Sequence, residues 1–519
     1  MCYRYTNPLT NILYYTQKVK KVKLYFSFFQ KFFHRQGMFS SLREILWLIT
    51  VFGGPTMEKN SVRPFGLRDK IGYLFGDFGN DFTFLFSSIF LSVFYTKVLG
   101  VPPGISGTLF LVARGVDAFT DISMGRIVDR AKPGPQGRFR PWILRMSGPV
   151  ALASFLMYQS SMAAAPMGLR VVYMFVTYIL WGSILYTSIN IPYGSMASAL
   201  SSSSDDRASL STYRSVGASL AGVIVGAGAP LLLYSTDANG NQIVIGSRFT
   251  LIAGIFSLAS FLCYLVCYWL TTERVSHPPK PKEKEASLLK TLGAVTSSRA
   301  LLGTVLSAVL MLLASFLNQT VSQFLFVDYF KNSLGLSIMG LFGVVPVLIL
   351  APLAVPLARS VGKREASAVG CFLGGLVSLL LFVLKTRSMW VYIGLYLLVS
   401  LGISVFSLMV WAFISDVTDD LQVQTGKRDD GTIYGGYSFA RKLGQALAGG
   451  LGGFLLGAIG YDEAVQVQTP AVAERIYGLA TGIPGVLYLL TGLVLLTIYP
   501  LSRTRVAQNS AVLRQKHEE

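Results

Sequence analysis

From residue 71 to residue 499 the chain alternates long apolar runs with short polar breaks. Each run is near the roughly 20 residues that an α-helix needs to cross a bilayer. The first half holds runs at 71–99, 106–128, 141–163, 169–200, 212–234 and 249–270. The second holds 301–330, 338–358, 368–384, 389–414, 434–459 and 477–499. Strands of a transmembrane barrel alternate in polarity and carry no such runs, so a barrel is excluded. The pattern predicts an all-α membrane protein with about twelve transmembrane helices.

The charged stretch 271–290, with Pro278 and Pro279 side by side, reads as a solvated linker. It divides the spans into two six-helix halves, which is the major-facilitator plan. The expected organisation is an N-terminal extension (1–65), a first half (66–271), a middle loop (272–296), a second half (297–504) and a tail (505–519). Alternate connections are basic: Arg126, Arg130, Lys132, Arg138 and Arg140 follow the second span, and Arg359, Lys363 and Arg364 follow the eighth. The positive-inside rule then puts both termini and the middle loop in the cytoplasm, with the chain in the cell membrane. Lys385 and Arg387 are a mild exception. Before Met57, six basic residues from Lys18 to Arg35 alternate with aromatics, and no secretory signal is present. An amphipathic surface helix and a mis-assigned start are the alternatives. Initiation at Met57 is the expectation, because the Gly53 and Gly54 codons can form a purine-rich ribosome-binding site.

Composition sharpens this picture. Of 519 residues, 52% are hydrophobic and 14% charged, with a mean hydropathy of +0.52. Soluble domains carry roughly 25% charged residues. The net charge of +19 would suit nucleic acid. The basic residues lie in connections and tails without a nucleic-acid-binding signature, so that partner is excluded. The four cysteines lack metal-ligand spacing, and Cys263 and Cys267 read as small buried hydrophobes.

Against this background, acids inside spans stand out. Asp117 and Asp121 lie at i and i+4, on one face of the second span, with Arg114 a turn earlier. Each charge at membrane depth costs at least about 2.5–3.5 kcal/mol. Arg114, a proton or a bound Na+ can neutralise the pair, which makes it a candidate coupling-ion site. Asp77 and Asp81 repeat the spacing in the first span. For Asp77 an interfacial role is the alternative. Asp81 lies deeper, where a carboxylate can accept hydrogen bonds from adjacent sugar hydroxyls. In the fourth span Pro192 disturbs the carbonyl a turn earlier. Thr187 and Asn190 beside it supply oxygens suited to a hard cation or to interhelical contacts. Arg214 opens the fifth span, where snorkelling is the plainer role. Lys442, inside the eleventh, needs an acid from the other half, and Asp81, Asp117 and Asp121 are available.

Motifs in order along the chain carry a specific resemblance. Asp117-Ala118-x-x-Asp121, Gly125-x-x-x-Asp129 and Gly137-Arg138-Phe139-Arg140-Pro141-Trp142 come first. Ile191-Pro192-Tyr193-Gly194-Ser195-Met196 follows, with Asp206-Arg207-x-x-Leu210-Ser211-x-x-Arg214. Then come Ser415-Asp416-Val417-x-Asp419, Thr425-Gly426-x-Arg428-x-x-Gly431 and Tyr437-Ser438-Phe439-x-x-Lys442. Together they resemble the glycoside–pentoside–hexuronide:cation symporter family, whose archetype is the melibiose permease. The resemblance implies cation binding at Asp117, Asp121 and Thr187, sugar contacts at Asp81 and Arg214, and a lysine near the cation at Lys442. Thr120 and Asn190 differ from the archetype, which has Asn and an acid there. Asn80 stands where it has Lys.

The expectation is therefore a secondary active transporter, not an enzyme, moving a glycoside, pentoside or hexuronide with Na+ or H+ by alternating access. Cation binding is assigned to Asp117, Asp121, Thr187 and Thr120, with Asp117 and Asp121 the metal ligands if Na+ is used. Substrate binding is assigned to Asp81, Arg214, Asn190 and Asp77, and coupling to Lys442 and Arg114. No cofactor is expected beyond the coupling ion. The partners are a small sugar and the bilayer, and the state is monomeric. Alternatives are a cation-coupled carrier of amphipathic lipid and a non-transporting sensor. The polar side chains argue against the first, and the lack of an appended signalling domain against the second.

Overall fold

A computed structural model describes residues 63–131, 133–275, 298–425 and 430–518. The N-terminal extension and most of the middle loop lie outside these residues, as do the side chains of Asp129 and Lys442. Each apolar run falls on a helix. In the first half these are α1 (Leu67–Val98), α2 (Pro103–Arg130), α3 (Arg140–Leu156), α4 (Met167–Leu200), α5 (Asp205–Leu233) and α6 (Gly246–Leu270). The second half holds α7 (Arg299–Tyr329), α8 (Ser333–Leu341), α9 (Val345–Ser360), α10 (Lys363–Leu384), α11 (Met389–Thr425), α12 (Asp430–Ala458) and α13 (Pro470–Thr497). A final helix, α14 (Arg503–Glu518), occupies the expected tail.

Among the described residues, nine helices are long and apolar enough to cross a membrane. The 28 residues of α2 reach about 42 Å at 1.5 Å per residue, ample for a bilayer despite its charges. The eighth span is broken into α8 and α9. Pro346 sits in the first turn of α9, where its missing N–H costs nothing, after the Gly343 turn.

The same packing occurs twice. In the first half α1 lies against α5 and α6, and α3 against α6. In the second, α7 lies against α12 and α13, and α10 against α13. The halves meet where α2 packs on α12 and where α5 packs on α8, contacts that are equivalent under the repeat. Glycines set both distances. A β-carbon on Gly107 would lie 2.6 Å from the Gly450 carbonyl oxygen, and one on Gly340 would lie 2.3 Å from the Gly226 backbone. Small residues thus let backbones touch where lipid supplies no hydrophobic drive.

The connections segregate onto two faces. One carries the 99–102 and 234–245 connections, the latter with a hairpin of β1 (Tyr234–Thr236) and β2 (Gln242–Val244). At its turn the Asn241 and Asn239 backbone N–H groups donate to Asp237, and these bonds hold its carboxyl below the usual range. The opposite face is basic.

On the basic face the start of the middle loop departs from the solvated linker that was expected. Thr271 is buried. The Glu273 carboxylate accepts backbone N–H bonds from Arg138, Phe139 and Arg140 at 2.7–2.8 Å. Four N–H groups are exposed at any helix start, and an acid there satisfies them and the helix dipole. Arg274 binds Asp69 at 2.8 Å, so α6 runs into a docked segment before the linker proper. In the second half Lys363 binds Asp416 at 2.6 Å. Asn509 of α14 donates to the buried Asp420 at 2.8 Å, which docks the tail helix on α11.

Candidate cation and sugar site

Two polar clusters lie within the first half, and α4 joins them. Between residues 179 and 186 its backbone widens into π-type turns, just before Pro192 removes a donor from the following turn. At the end of that segment Tyr186 and Thr187 are adjacent, so their side chains leave the helix about 100° apart. Tyr186 turns to α1 and Thr187 to α2.

The α2 cluster holds the acid pair. Arg114 Nη1 donates to Asp117 Oδ2 at 3.0 Å, a contact three residues apart on one face. Asp117 Oδ1 is buried with no hydrogen-bond partner among the described residues. Asp121 Oδ1 accepts the Thr187 hydroxyl at 3.0 Å. The Thr120 hydroxyl donates back to the Val116 carbonyl at 3.1 Å, which leaves only its lone pairs free. An orphan carboxylate oxygen, a second carboxylate and two hydroxyl oxygens form an oxygen-only donor set. That chemistry fits Na+ or a proton. No group of three or more His, Cys, Asp or Glu side chains capable of holding a metal occurs among the described residues.

The α1 cluster is built around Asp77, Asn80 and Asp81. Arg214 Nε donates to Asp77 Oδ1 at 3.1 Å, bridging α5 to α1. Arg214 is thus paired with an acid of another helix while its side chain stays 38% exposed. Its guanidinium lies 5.4 Å from the Tyr193 ring centre. Tyr193 in turn stacks on Tyr73 and donates to its carbonyl at 2.6 Å. Gly76 makes room, because a β-carbon there would lie 2.1 Å from the Tyr193 ring. Asn80 donates to the Tyr186 hydroxyl at 2.8 Å and to Asp81 Oδ1 at 3.1 Å, and accepts from the Tyr264 hydroxyl at 3.2 Å. Phe84 stacks on Tyr186 at 5.4 Å. Carboxylates, a guanidinium and flat rings are the groups that recognise a polyhydroxylated ring.

The structure thus brings Asp77 to Arg214, Arg114 to Asp117, and Asp121 to Thr187. Asn190 is half-buried on α4, three residues beyond Thr187. The Lys442 side chain lies outside the described residues, as does any contact it makes with the acids. Sequence reasoning missed Tyr264 and Tyr73. Tyr264 sits in an apolar helix with no local signal. Tyr186 and Tyr193 are seven residues apart, a spacing that marks one helix face.

The profile of a family described as MFS/sugar transport protein matches residues 72–503. The chain belongs to that family. The transporter is 32% identical over 439 residues to the glucuronide carrier protein homolog of Escherichia coli K12, covering 84% of this chain and 93% of that protein. It is 30% identical over 455 residues to the uncharacterized symporter YjmB of Bacillus subtilis 168, covering 87% and 96%. Its fold resembles a solved bacterial homologue of the iron transporter ferroportin in an inward-facing state, with a TM-score of 0.58 at 14% identity over 84% of this chain and 98% of the other. The transporter is a multi-pass membrane protein of the major-facilitator fold, in a sugar-transport family.

Proposed function

We propose that the coupling cation, Na+ or H+, binds at Asp117, Asp121, Thr187 and Thr120, and that the sugar binds at Asp77, Asp81, Arg214 and Asn190. The observation that carries this reading is the adjacency of Tyr186 and Thr187 on α4, one turned to each cluster. A cation taking Thr187 and Asp121 as ligands would act on the same helix that carries Tyr186, and through Tyr186 on Asn80 and Asp81. Sugar affinity and cation occupancy are then linked through one rigid element. Arg114 neutralises Asp117 when no cation is present, and Lys442 is assigned to coupling from the second half.

The sugar is a glycoside, pentoside or hexuronide. A glucuronide is the first to assay, given the name of the Escherichia coli relative. Transport needs no covalent chemistry and no cofactor. The basic face lies in the cytoplasm, the transporter sits in the cell membrane, and it works as a monomer without a nucleic-acid partner.

Right-side-out vesicles test the reading with labelled glycosides and separately imposed Na+ and pH gradients. One gradient should drive accumulation, and Asp121→Asn should abolish it while sugar exchange persists. Unchanged gradient-driven uptake by that variant rejects the cation assignment.

A further inference from the structure

A buried ion pair joins the two halves at the near-neutral face, far from the basic connections. Lys97 Nζ lies 2.6 Å from Asp328 Oδ1, with both side chains at most 2% exposed. Lys97 closes α1 in the first half and Asp328 closes α7 in the second. Each is the fourth residue of a five-residue π-type turn, Phe94–Val98 and Leu325–Tyr329. The two charges therefore occupy equivalent positions in the two repeats and meet across the pseudo-symmetry relation that connects them.

The connection between α12 and α13 completes the enclosure. The Gln466 carbonyl accepts from Lys97 Nζ at 3.0 Å, and the Tyr461 hydroxyl donates to Asp328 Oδ2 at 3.2 Å. The Tyr461 ring lies edge-on to Phe324, and its centre is 5.7 Å from Lys97 Nζ. Beside them the Tyr234 hydroxyl donates to Gln323 at 3.3 Å, another polar bond between the halves. The two glycine crossings, Gly107 on Gly450 and Gly340 on Gly226, also join the halves. The ion pairs described on the basic face, Arg274–Asp69 and Lys363–Asp416, each stay within one half.

We infer that Lys97 and Asp328 form the latch of the near-neutral gate, and that the structure is the state in which this gate is shut. Alternating access requires the halves to part here in the opposite state. Parting separates the charges and hydrates each one. Desolvating both on closure is costly, and their attraction offsets that cost only while they are paired. The pair thus makes closure conditional on register between the halves, and it keeps closure reversible. An apolar seam of the same shape would hold more tightly.

The physics predicts opposite signs for single and double neutralisation. Lys97→Met or Asp328→Asn strands one buried charge or polar group and disfavours closure. Lys97→Met/Asp328→Leu removes both charges and favours it.

Hydrogen exchange on the full chain in nanodiscs reads the gate directly, over the near-neutral ends of α2 (103–111) and α12 (449–458). Lys97→Met should speed exchange there by about tenfold or more while the basic ends slow. The double variant should slow exchange at 103–111 and 449–458 below the unsubstituted protein, and it should slow sugar exchange across the membrane. Two results overturn the latch: no change at these segments in the single variants, or a double variant as fast as the singles. If a single variant loosens every span alike, the double variant still decides, because renewed protection at the near-neutral ends supports the latch and continued loosening refutes it.

Discussion

Thr187 on α4 donates its hydroxyl to Asp121 on α2 at 3.0 Å, across 66 residues of sequence. The bond fixes one carboxylate oxygen of the acid pair from a second helix, so the proposed cation site would be shared between two spans. A hydrogen bond to a charged group contributes about 1.5–3 kcal/mol. Thr187→Val keeps the shape and removes the donor. Its half-saturating cation concentration should rise about tenfold or more, and Thr187→Ser should restore it. Uptake measured against cation concentration checks both.

Arg114 pairs with Asp117 at 3.0 Å, and in the proposed cycle it would hold that acid when no cation is bound. Arg114→Gln removes the cationic partner of Asp117. Sugar exchange, in which the loaded form shuttles, should continue. Net gradient-driven uptake, which needs the empty form to return, should fall by about tenfold or more, in line with the cost of an unpaired charge at membrane depth. Counterflow and net uptake measured side by side separate the two.

Arg214 supplies a planar guanidinium to Asp77 while lying over Tyr193. Lysine reproduces the charge but neither the planarity nor the ring contact. Arg214→Lys should raise the sugar KM about tenfold or more, with a smaller effect on the cation dependence. Sugar titrations at saturating and limiting cation check the split. Equal losses in both would place Arg214 in the cation site instead.

Gly76 gives Tyr193 its place against α1. Gly76→Ala drives a methyl group into that ring and should cost about 1–3 kcal/mol of stability, as overpacking does. The purified variant should melt at a lower temperature, and Gly76→Ala/Tyr193→Leu should recover part of the loss.

The spans were legible from hydropathy alone, because crossing a bilayer demands a fixed length of apolar helix and satisfies its own backbone. The i, i+4 acids, and Arg114 a turn before them, were legible for the same reason: one helix sets their geometry locally. Where the helix extends past its apolar run, as α11 does through Asp416 to Thr425, polar contacts outside the bilayer set the end and hydropathy does not.

The sequence by itself determined the all-helical membrane architecture, the two halves, and the acid pair that needs a positive partner. Which partner each charge takes was decided only by the tertiary structure. Arg214 finds Asp77 across 137 residues, and Lys97 finds Asp328 across 231. Tyr264 reaches Asn80 from a helix whose neighbouring residues are apolar. Local periodicity sets which way a side chain points around its own helix. What it meets depends on which helices pack together, and that follows from steric fit between glycine-lined surfaces distant in sequence.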